Sequence, residues 1–580
     1  MNSSVLKRLL TYLKPYTGLL IIAFISAILN ITLTLLSPIL IGDAVDLLIG
    51  PDNVDFHGVL RILIFLSLAI IFAALAQLLM TRCTNIITYK TVRDLRVQAF
   101  SKINSVPLKY IDGNPHGDII SRVITDIDQI SDGLLQGFSQ LFTGVITIVG
   151  TILFMFSINI TITLIVVLVT PLSLFVAAFI TRHSHAMFKK QSELRGEMAG
   201  YIEEIIGNQK EVKAFSFEDR AQENFEKVNE RLYDCGFKAQ FYAALANPST
   251  RFVNGIVYAS VGIIGAISAI NGNLTIGGIS SFLAYANQYT KPFNEISGVV
   301  TEFQAALASS SRVFAILDEK SERADNNDVI TFTNCSGKID INDVSFSYDP
   351  SKKLIEHFNF SANPGDNIAI VGPTGCGKTT LINLLMRFYD INSGNIKVDD
   401  IDIEKIKRSS SRNMYGMVLQ DTWVYSGTVK DNIAYGKPDA PEEEIIEAAK
   451  ASHAHDFIKR LPQGYDTVIS DDGSNISQGQ KQLLCIARIM LTKPPMLILD
   501  EATSSIDTRT EVYIQRAFSK MMEGRTSFIV AHRLSTIRGA DLILVMNEGK
   551  IIEQGTHNEL LTQNGFYANL YNSQFDLQLI

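Results

Sequence analysis

The residues with the clearest chemistry are Gly372-Pro373-Thr374-Gly375-Cys376-Gly377-Lys378-Thr379, with Thr380 behind them. They match Gly-x-x-x-x-Gly-Lys-Thr, the P-loop pattern, without departure. Glycines at these spacings let the backbone curl so that several N–H groups converge on one anion. A helix starting here adds the partial positive charge of its N-terminus. Lys378 is placed to reach the β- and γ-phosphates of a nucleoside triphosphate, and the Thr379 hydroxyl to bind its Mg²⁺. Pro373, Thr374, Cys376 and Thr380 complete the phosphate-binding stretch. The context fits: Asn367-Ile-Ala-Ile-Val371 reads as a buried strand and Leu381–Met386 as a helix.

A second element answers the first. Met496-Leu-Ile-Leu-Asp500-Glu501 is an apolar strand that ends in two carboxylates, a Walker B pattern. Asp500 can hold the Mg²⁺ bound to the phosphates. Glu501 can orient or deprotonate an attacking water. A strict P-loop followed by this strand implies a nucleoside triphosphatase.

The elements that must position these groups fall into two parts. The chain has 580 residues, a length that allows about four domains. Long apolar runs fill residues 16 to 300, and the composition is that of a soluble domain from 335 onward. The net charge of −8, with no basic stripe, excludes a nucleic-acid binder. Five scattered cysteines (Cys83, Cys235, Cys335, Cys376 and Cys485) form no Cys-x-x-Cys pair, so no zinc site or disulfide framework is expected. No cleavable signal peptide is evident.

Residues 4–15 set Leu6, Leu9, Leu10 and Leu13 at helical spacing beside Lys7, Arg8 and Lys14, as in a helix lying on the membrane surface. Six spans are expected at about 17–41, 58–81, 136–156, 159–181, 249–270 and 275–298, each about 20 residues or longer. The connection after the first span holds Asp43, Asp46, Asp52 and Asp55 and no basic residue. The long connections 82–135 and 182–248 are rich in lysine and arginine. By the positive-inside rule both termini and the P-loop part lie in the cytoplasm. The spanning helices are expected to continue past the bilayer. Polar breaks at Asp112–Gly117 and Gly207–Phe215 can each hold a short cross-piece. Asn254, Asn287, Gln288, Tyr289 and Lys291 lie inside spans and are candidate substrate contacts or interhelical bonds.

After a polar linker, strand-like runs alternate with helices: 338–341, 344–348, 395–399, 415–420, 496–499, 527–530 and 542–545, with a helical region at 441–460. This pattern suggests an α/β core with a separate helical lobe.

Asn475-Ile-Ser477-Gln478-Gly479-Gln480 resembles the Leu-Ser-Gly-Gly-Gln signature of ATP-binding cassette (ABC) proteins. The whole chain looks like a half-transporter of the exporter type. The resemblance implies a membrane α-helical domain at 1–320, a linker at 321–337, and an α/β P-loop nucleotide-binding domain with a helical subdomain at 338–580. Tyr348 matches the aromatic that stacks on adenine. Gln420 matches the glutamine that senses Mg²⁺ and the membrane domain. Ser504-Ser-Ile-Asp507 matches the D-loop, and His532 the switch histidine at the γ-phosphate. Ser477, Gly479 and Gln480 are then nucleotide contacts, and the two polar breaks fall at the coupling helices. The signature departs from the pattern at Ile476 and Gln478, and Ser470-Asp-Asp-Gly473 stands where Gly-Glu-Arg-Gly is common.

In such a family ATP lies between the P-loop of one domain and the signature of another, so a second half-transporter is required, the same chain or a different one. The expected function is ATP-driven export of amphipathic small molecules, drugs or lipids, across the cytoplasmic membrane. A dedicated lipid flippase or peptide exporter is the alternative. A third reading, an ATP-gated channel or regulatory subunit, is disfavoured by the retained Glu501 and His532.

Overall fold

The computed structural model describes residues 2–48, 54–322, 325, 329–332, 335–419, 422–470, 475–500, 506–530 and 537–575. The chain divides into two compact units. One comprises Met1–Ser105 with Asn114–Glu319, the other Val106–Gly113 with Lys320–Ile580.

The first unit is helical. Its helices are Asn2–Leu13, Thr17–Asp46, Phe56–Ile103, His116–Val123, Thr125–Ile158, Ile160–Val169, Pro171–Gly207, Gln209–Ala214, Glu218–Ile270 and Ile276–Asp318. The 48 residues of Phe56–Ile103 make about 72 Å of helix at 1.5 Å per residue, against about 30 Å of hydrocarbon. The helix must therefore run on beyond the bilayer, as the periodicity implied. Asn2–Leu13 buries Leu9 and Leu13 among Ile87, Leu95 and Phe314 and leaves Leu10 outside.

Four stretches are long and apolar enough to cross a membrane among the described residues: Ser4–Asp46, Phe56–Ile103, His116–Ile158 and Glu218–Ile270. Two of the six expected spans do not reach that measure. In 159–181 the apolar helix Ile160–Val169 has 10 residues and a new helix begins at Pro171, because proline supplies no N–H to continue the ladder. In 275–298 the helix is continuous, but Asn287, Gln288 and Lys291 interrupt its apolar character.

One crossing in this unit is set by glycine. A Cβ on Gly277 would lie 2.0 Å from the Gly42 carbonyl oxygen, and one on Gly42 would lie 2.3 Å from Ser281 Oγ. Helices Thr17–Asp46 and Ile276–Asp318 therefore touch backbone to backbone. Gly277 N–H donates to Asp46 Oδ1 at 2.7 Å. Near Pro38, where the helix loses a donor, Ser281 Oγ donates to the Pro38 carbonyl at 2.7 Å and Tyr285 Oη to the Leu35 carbonyl at 2.5 Å. In a bilayer these two hydroxyls have no water to turn to, and the facing helix supplies their acceptors.

The second unit contains twelve strands among its described residues. They are β1 (Ile339–Phe346), β2 (Ile355–Ala362), β3 (Asn367–Val371), β4 (Ser393–Val398), β5 (Ile401–Asp402), β6 (Tyr415–Val418), β7 (Gly427–Thr428), β8 (Val468–Ile469), β9 (Met496–Asp500), β10 (Thr526–Val530), β11 (Leu542–Asn547) and β12 (Lys550–Gly555). The main sheet runs β12-β11-β3-β10-β9-β6, parallel except for the edge strand β12. A second, antiparallel sheet runs β2-β1-β4-β5. The runs 338–341 and 344–348 are one strand, kinked where Asp343 takes φ 51° and the pairing register slips. Strands β2 and β12 were not anticipated. Both carry charged or polar residues on an open face, which hides them among loop-like composition.

A second apolar cluster joins Ile445, Ile458, Leu484 and Ile514 of the helices to Val418, Leu497, Leu499 and Ile529 on one face of the main sheet. Its helices Glu442–Ala451 and His455–Ile458 answer the region expected at 441–460. The unit closes with His557–Thr562 and Phe566–Phe575. There His557 Nδ1 and the Tyr567 hydroxyl share a 2.7 Å hydrogen bond in a buried site.

Two expectations follow. Gly277→Ala already forces the two helices apart, so size-exclusion profile and melting temperature of the purified chain should both deteriorate relative to the wild type, and further in Gly277→Val. Burial, helped by Arg538, depresses the His557 pKa below its ordinary 6.5. The unfolded chain therefore takes up the proton first, and stability falls as pH drops below about 6.5. His557→Gln should flatten the loss of thermal stability between pH 7 and pH 5.

Candidate nucleotide site

The phosphate cradle begins where β3 ends. Gly372 has φ 153°, and a Cβ there would sit 2.2 Å from the Met546 carbonyl oxygen of β11. Gly377 has φ 105° and caps the helix Lys378–Leu385. Side chains at these two positions would collide or strain the turn, so the glycine spacing follows from the fold. Lys378 Nζ arches back and donates to the carbonyls of Gly372 and Pro373, each at 2.9 Å. Pro373, Thr374, Gly375 and Thr379 are exposed at the mouth, whereas Cys376 and Thr380 are buried beneath it. Cys376 is 3% exposed, so it serves as a small core residue. An ammonium whose partners are the loop's own carbonyls, over backbone donors at a helix start, fits a polyphosphate.

Asp500 is brought to the same edge by strand register. Val530 of β10 is level with Ile370 of β3 on one side and Asp500 of β9 on the other. Two strand spacings of about 4.8 Å place the carboxylate about 10 Å across the sheet from β3, at the height where the cradle starts. Gln420, Glu501 and His532 follow β6, β9 and β10 in the chain and lie outside the described residues, as do Ser504 and residues 471–474.

Tyr348 follows β1 and is 37% exposed. The edges of Phe346 and Tyr389 meet it at 4.9 and 4.8 Å between centroids. Asn383, on the P-loop helix, donates to its hydroxyl at 3.1 Å. The ring is thereby held in one orientation beside the loop.

Sequence reasoning missed Tyr389. It is buried, and its hydroxyl donates to Asp112 Oδ2 at 2.5 Å. Burial first, then the Asp112 carboxylate, push its phenol above the ordinary range. Asp112 belongs to Val106–Gly113, the segment between two membrane-unit helices that packs as part of the nucleotide unit. Leu108 of that segment joins the apolar core around β1 and β2. The cross-piece itself is the helix Leu108–Asp112. It precedes the Gly-Asn-Pro break where it was expected, because Pro115 caps the following helix His116–Val123. The second cross-piece is Gln209–Ala214, within its expected stretch, with Val212 buried and Phe215 81% exposed.

The signature residues do structural work as well. Ser477 caps the helix Gln478–Thr492 through a reciprocal box: Gln480 N–H donates to Ser477 Oγ, and Ser477 N–H donates to Gln480 Oε1. A Cβ on Gly479 would lie 2.5 Å from Thr510 Cγ2, so this glycine lets two helices pack. Gln478, the departure from the pattern, donates through Nε2 to Thr422 Oγ1 at 2.9 Å. Asp507 caps the helix Thr508–Met522 by accepting from Thr510 N–H at 2.9 Å, and that bond lowers its pKa.

Of the candidate contacts inside the spans, Gln288 and Lys291 line one cavity. Tyr289 is buried against Phe293, and Asn254 lies on a different helix. Asn287 is exposed.

Residues 20–293 match the family model of the ABC transporter transmembrane region, and residues 355–504 that of the ABC transporter. A fatty acid ABC transporter ATP-binding/permease protein of Mycobacterium tuberculosis is 42% identical over 90% of this chain and 82% of its own. An ATP-dependent lipid A-core flippase of Desulfotalea psychrophila is 36% identical over 99% of this chain and 100% of its own. The structure of a bacterial Atm1-family ABC exporter with ATP bound superposes with a TM-score of 0.75 at 27% identity, over 99% of both chains.

Tyr389→Phe removes the bond to Asp112 and keeps the ring. One charge-assisted hydrogen bond corresponds to about tenfold in local opening. Amide exchange across 106–113 of the full chain should rise by about that factor, with the P-loop helix unchanged. Equal exchange in both proteins would mean that the packing of Leu108 alone holds the segment.

Proposed function

The chain belongs to the ABC transporter family, and from that premise we propose that it is one half of an ATP-driven exporter of lipids or other amphipathic compounds. The observation that carries this reading is Val106–Gly113, a stretch between membrane-unit helices that folds as part of the ATP-binding unit. A soluble ATPase has no use for such a segment. The names of the two relatives, a fatty acid transporter and a lipid A-core flippase, support a lipid-like cargo.

In this reading the loop 372–377 and Lys378 hold the β- and γ-phosphates, and Tyr348 carries the adenine. Thr379, Asp500 and Gln420 hold the Mg²⁺, which supplies charge neutralisation at the phosphates. Glu501 accepts the proton of the attacking water, and His532 contacts the γ-phosphate. Ser477, Gly479 and Gln480 present a helix N-terminus, an anion-binding end, to the nucleotide of a partner subunit. Asp507 lies at the same dimer face. The second half-transporter is the same chain or a different one; retained Glu501 and His532 equip this chain for turnover in either case. The acidic first connection and the basic long connections support a cytoplasmic position for both termini and the nucleotide unit.

The test is molar mass by light scattering on the purified chain, with Mg-ATP hydrolysis measured on the same peak. A dimer is expected, and Glu501→Gln should lower turnover by at least about 100-fold, the scale of losing a general base. A monomer without turnover points to a different partner chain. Transport that proceeds normally in Glu501→Gln would rule out the pump.

A further inference from the structure

A cavity of about 340 Å³ lies within the membrane unit, between helices Thr17–Asp46, Thr125–Ile158 and Ile276–Asp318. The volume is in the range of small-ligand sites. Its depth follows from the Asp46–Gly277 hydrogen bond, which sets two of these helices level at one end. Asn30 lies 16 residues before Asp46 and Lys291 14 residues after Gly277, or about 24 and 21 Å along their helices. Both therefore face the cavity at about one height, near the middle of the first span.

The lining is asymmetric in charge. Lys291 is its one cation, and no carboxylate lines the cavity among the described residues. Among the described residues Lys291 forms no ion pair. Three of its six uncharged polar residues are committed elsewhere. Thr34 and Thr143 donate their hydroxyls to carbonyls of their own helices, at 2.8 and 2.6 Å. Asn30 donates to Gln77 at 2.7 Å. Gln288 Oε1 is buried with no hydrogen-bond partner. Beside these groups Ile31, Leu35 and Pro292 form an apolar wall. A lysine at this depth in a span is costly unless an anion or water meets it.

We infer that this cavity binds the oxyanion head of an acidic amphiphile, with Lys291 as the charge-selecting residue and the apolar wall taking the first part of the tail. The inference rests on the exporter reading above and narrows its cargo. A carboxylate on a single chain and a phosphate on a diacyl lipid share this chemistry.

The experiment is photo-crosslinking of the full chain in nanodiscs of phosphatidylcholine. The probes are diazirine-bearing fatty acid, phosphatidate, fatty alcohol and fatty amine, and the labelled peptides are mapped by mass spectrometry. An acidic probe should label peptides spanning 140–147 and 288–292 at least tenfold above the alcohol. Whichever acid labels more strongly identifies the source of the head group. Lys291→Gln should bring the acid down to the level of the alcohol, Lys291→Arg should restore it, and Lys291→Glu should favour the amine. Equal labelling by acid and alcohol in the wild type overturns the inference, as does an acid preference that survives in Lys291→Gln. Either result with Glu501-dependent transport intact removes only the charge selection. Transport independent of Glu501 removes the pump while leaving the labelling pattern to stand.

Discussion

Parallel pairing of β10 between β3 and β9 is the constraint on which the nucleotide unit depends. Backbone hydrogen bonds hold Ile370, Val530 and Asp500 at one height. The loop after β3 and the carboxylate of Asp500 therefore stand at one end of the sheet, the usual place for a ligand in an open α/β sheet. The strands that build this end are buried almost throughout, since helices cover both faces. The cradle inherits its rigidity from them. Gly372 can press against the Met546 carbonyl because β11 is fixed beside β3.

The membrane unit solves a different problem. Without water, buried hydroxyls need protein partners, and Ser281 and Tyr285 find them in the carbonyls of Pro38 and Leu35. They can reach only because Gly42 and Gly277 let the helices touch. The same contact sets the relative height of the two helices and thereby brings Asn30 and Lys291 to one level. Packing and candidate cargo chemistry are tied to one close approach.

Within the nucleotide unit a short chain of rings links Tyr348 to the segment 106–113. Tyr348 touches Tyr389, and Tyr389 holds Asp112 of the segment 106–113. These contacts give Tyr348 and the cross-piece a shared neighbour. The P-loop helix joins them through Asn383.

The sequence by itself determined the kind of chemistry and the kind of elements. Gly372–Thr379, the strand ending in Asp500, and the apolar runs each carry their own local physics: glycine turns, buried strands, and lengths matched to a bilayer. The main-sheet strands expected at 496–499, 527–530 and 542–545 lie within β9, β10 and β11, because continuous apolar runs leave few alternatives. Less was legible where partners are distant. The bond from Tyr389 to Asp112 joins residues 277 apart, and no spacing announces it. Strands β2 and β12 have an open face and blend into loop composition. Capping by Ser477, Gln480 and Asp507 and the packing at Gly479 became visible only once their helices were placed. The break at Pro171 shows the converse, since hydropathy counts residues but the backbone needs a donor at each one. Tertiary structure alone decided which polar span residues share a cavity. That choice depends on helix heights and rotations, which the contact between Gly42 and Gly277 fixes and which local sequence does not encode.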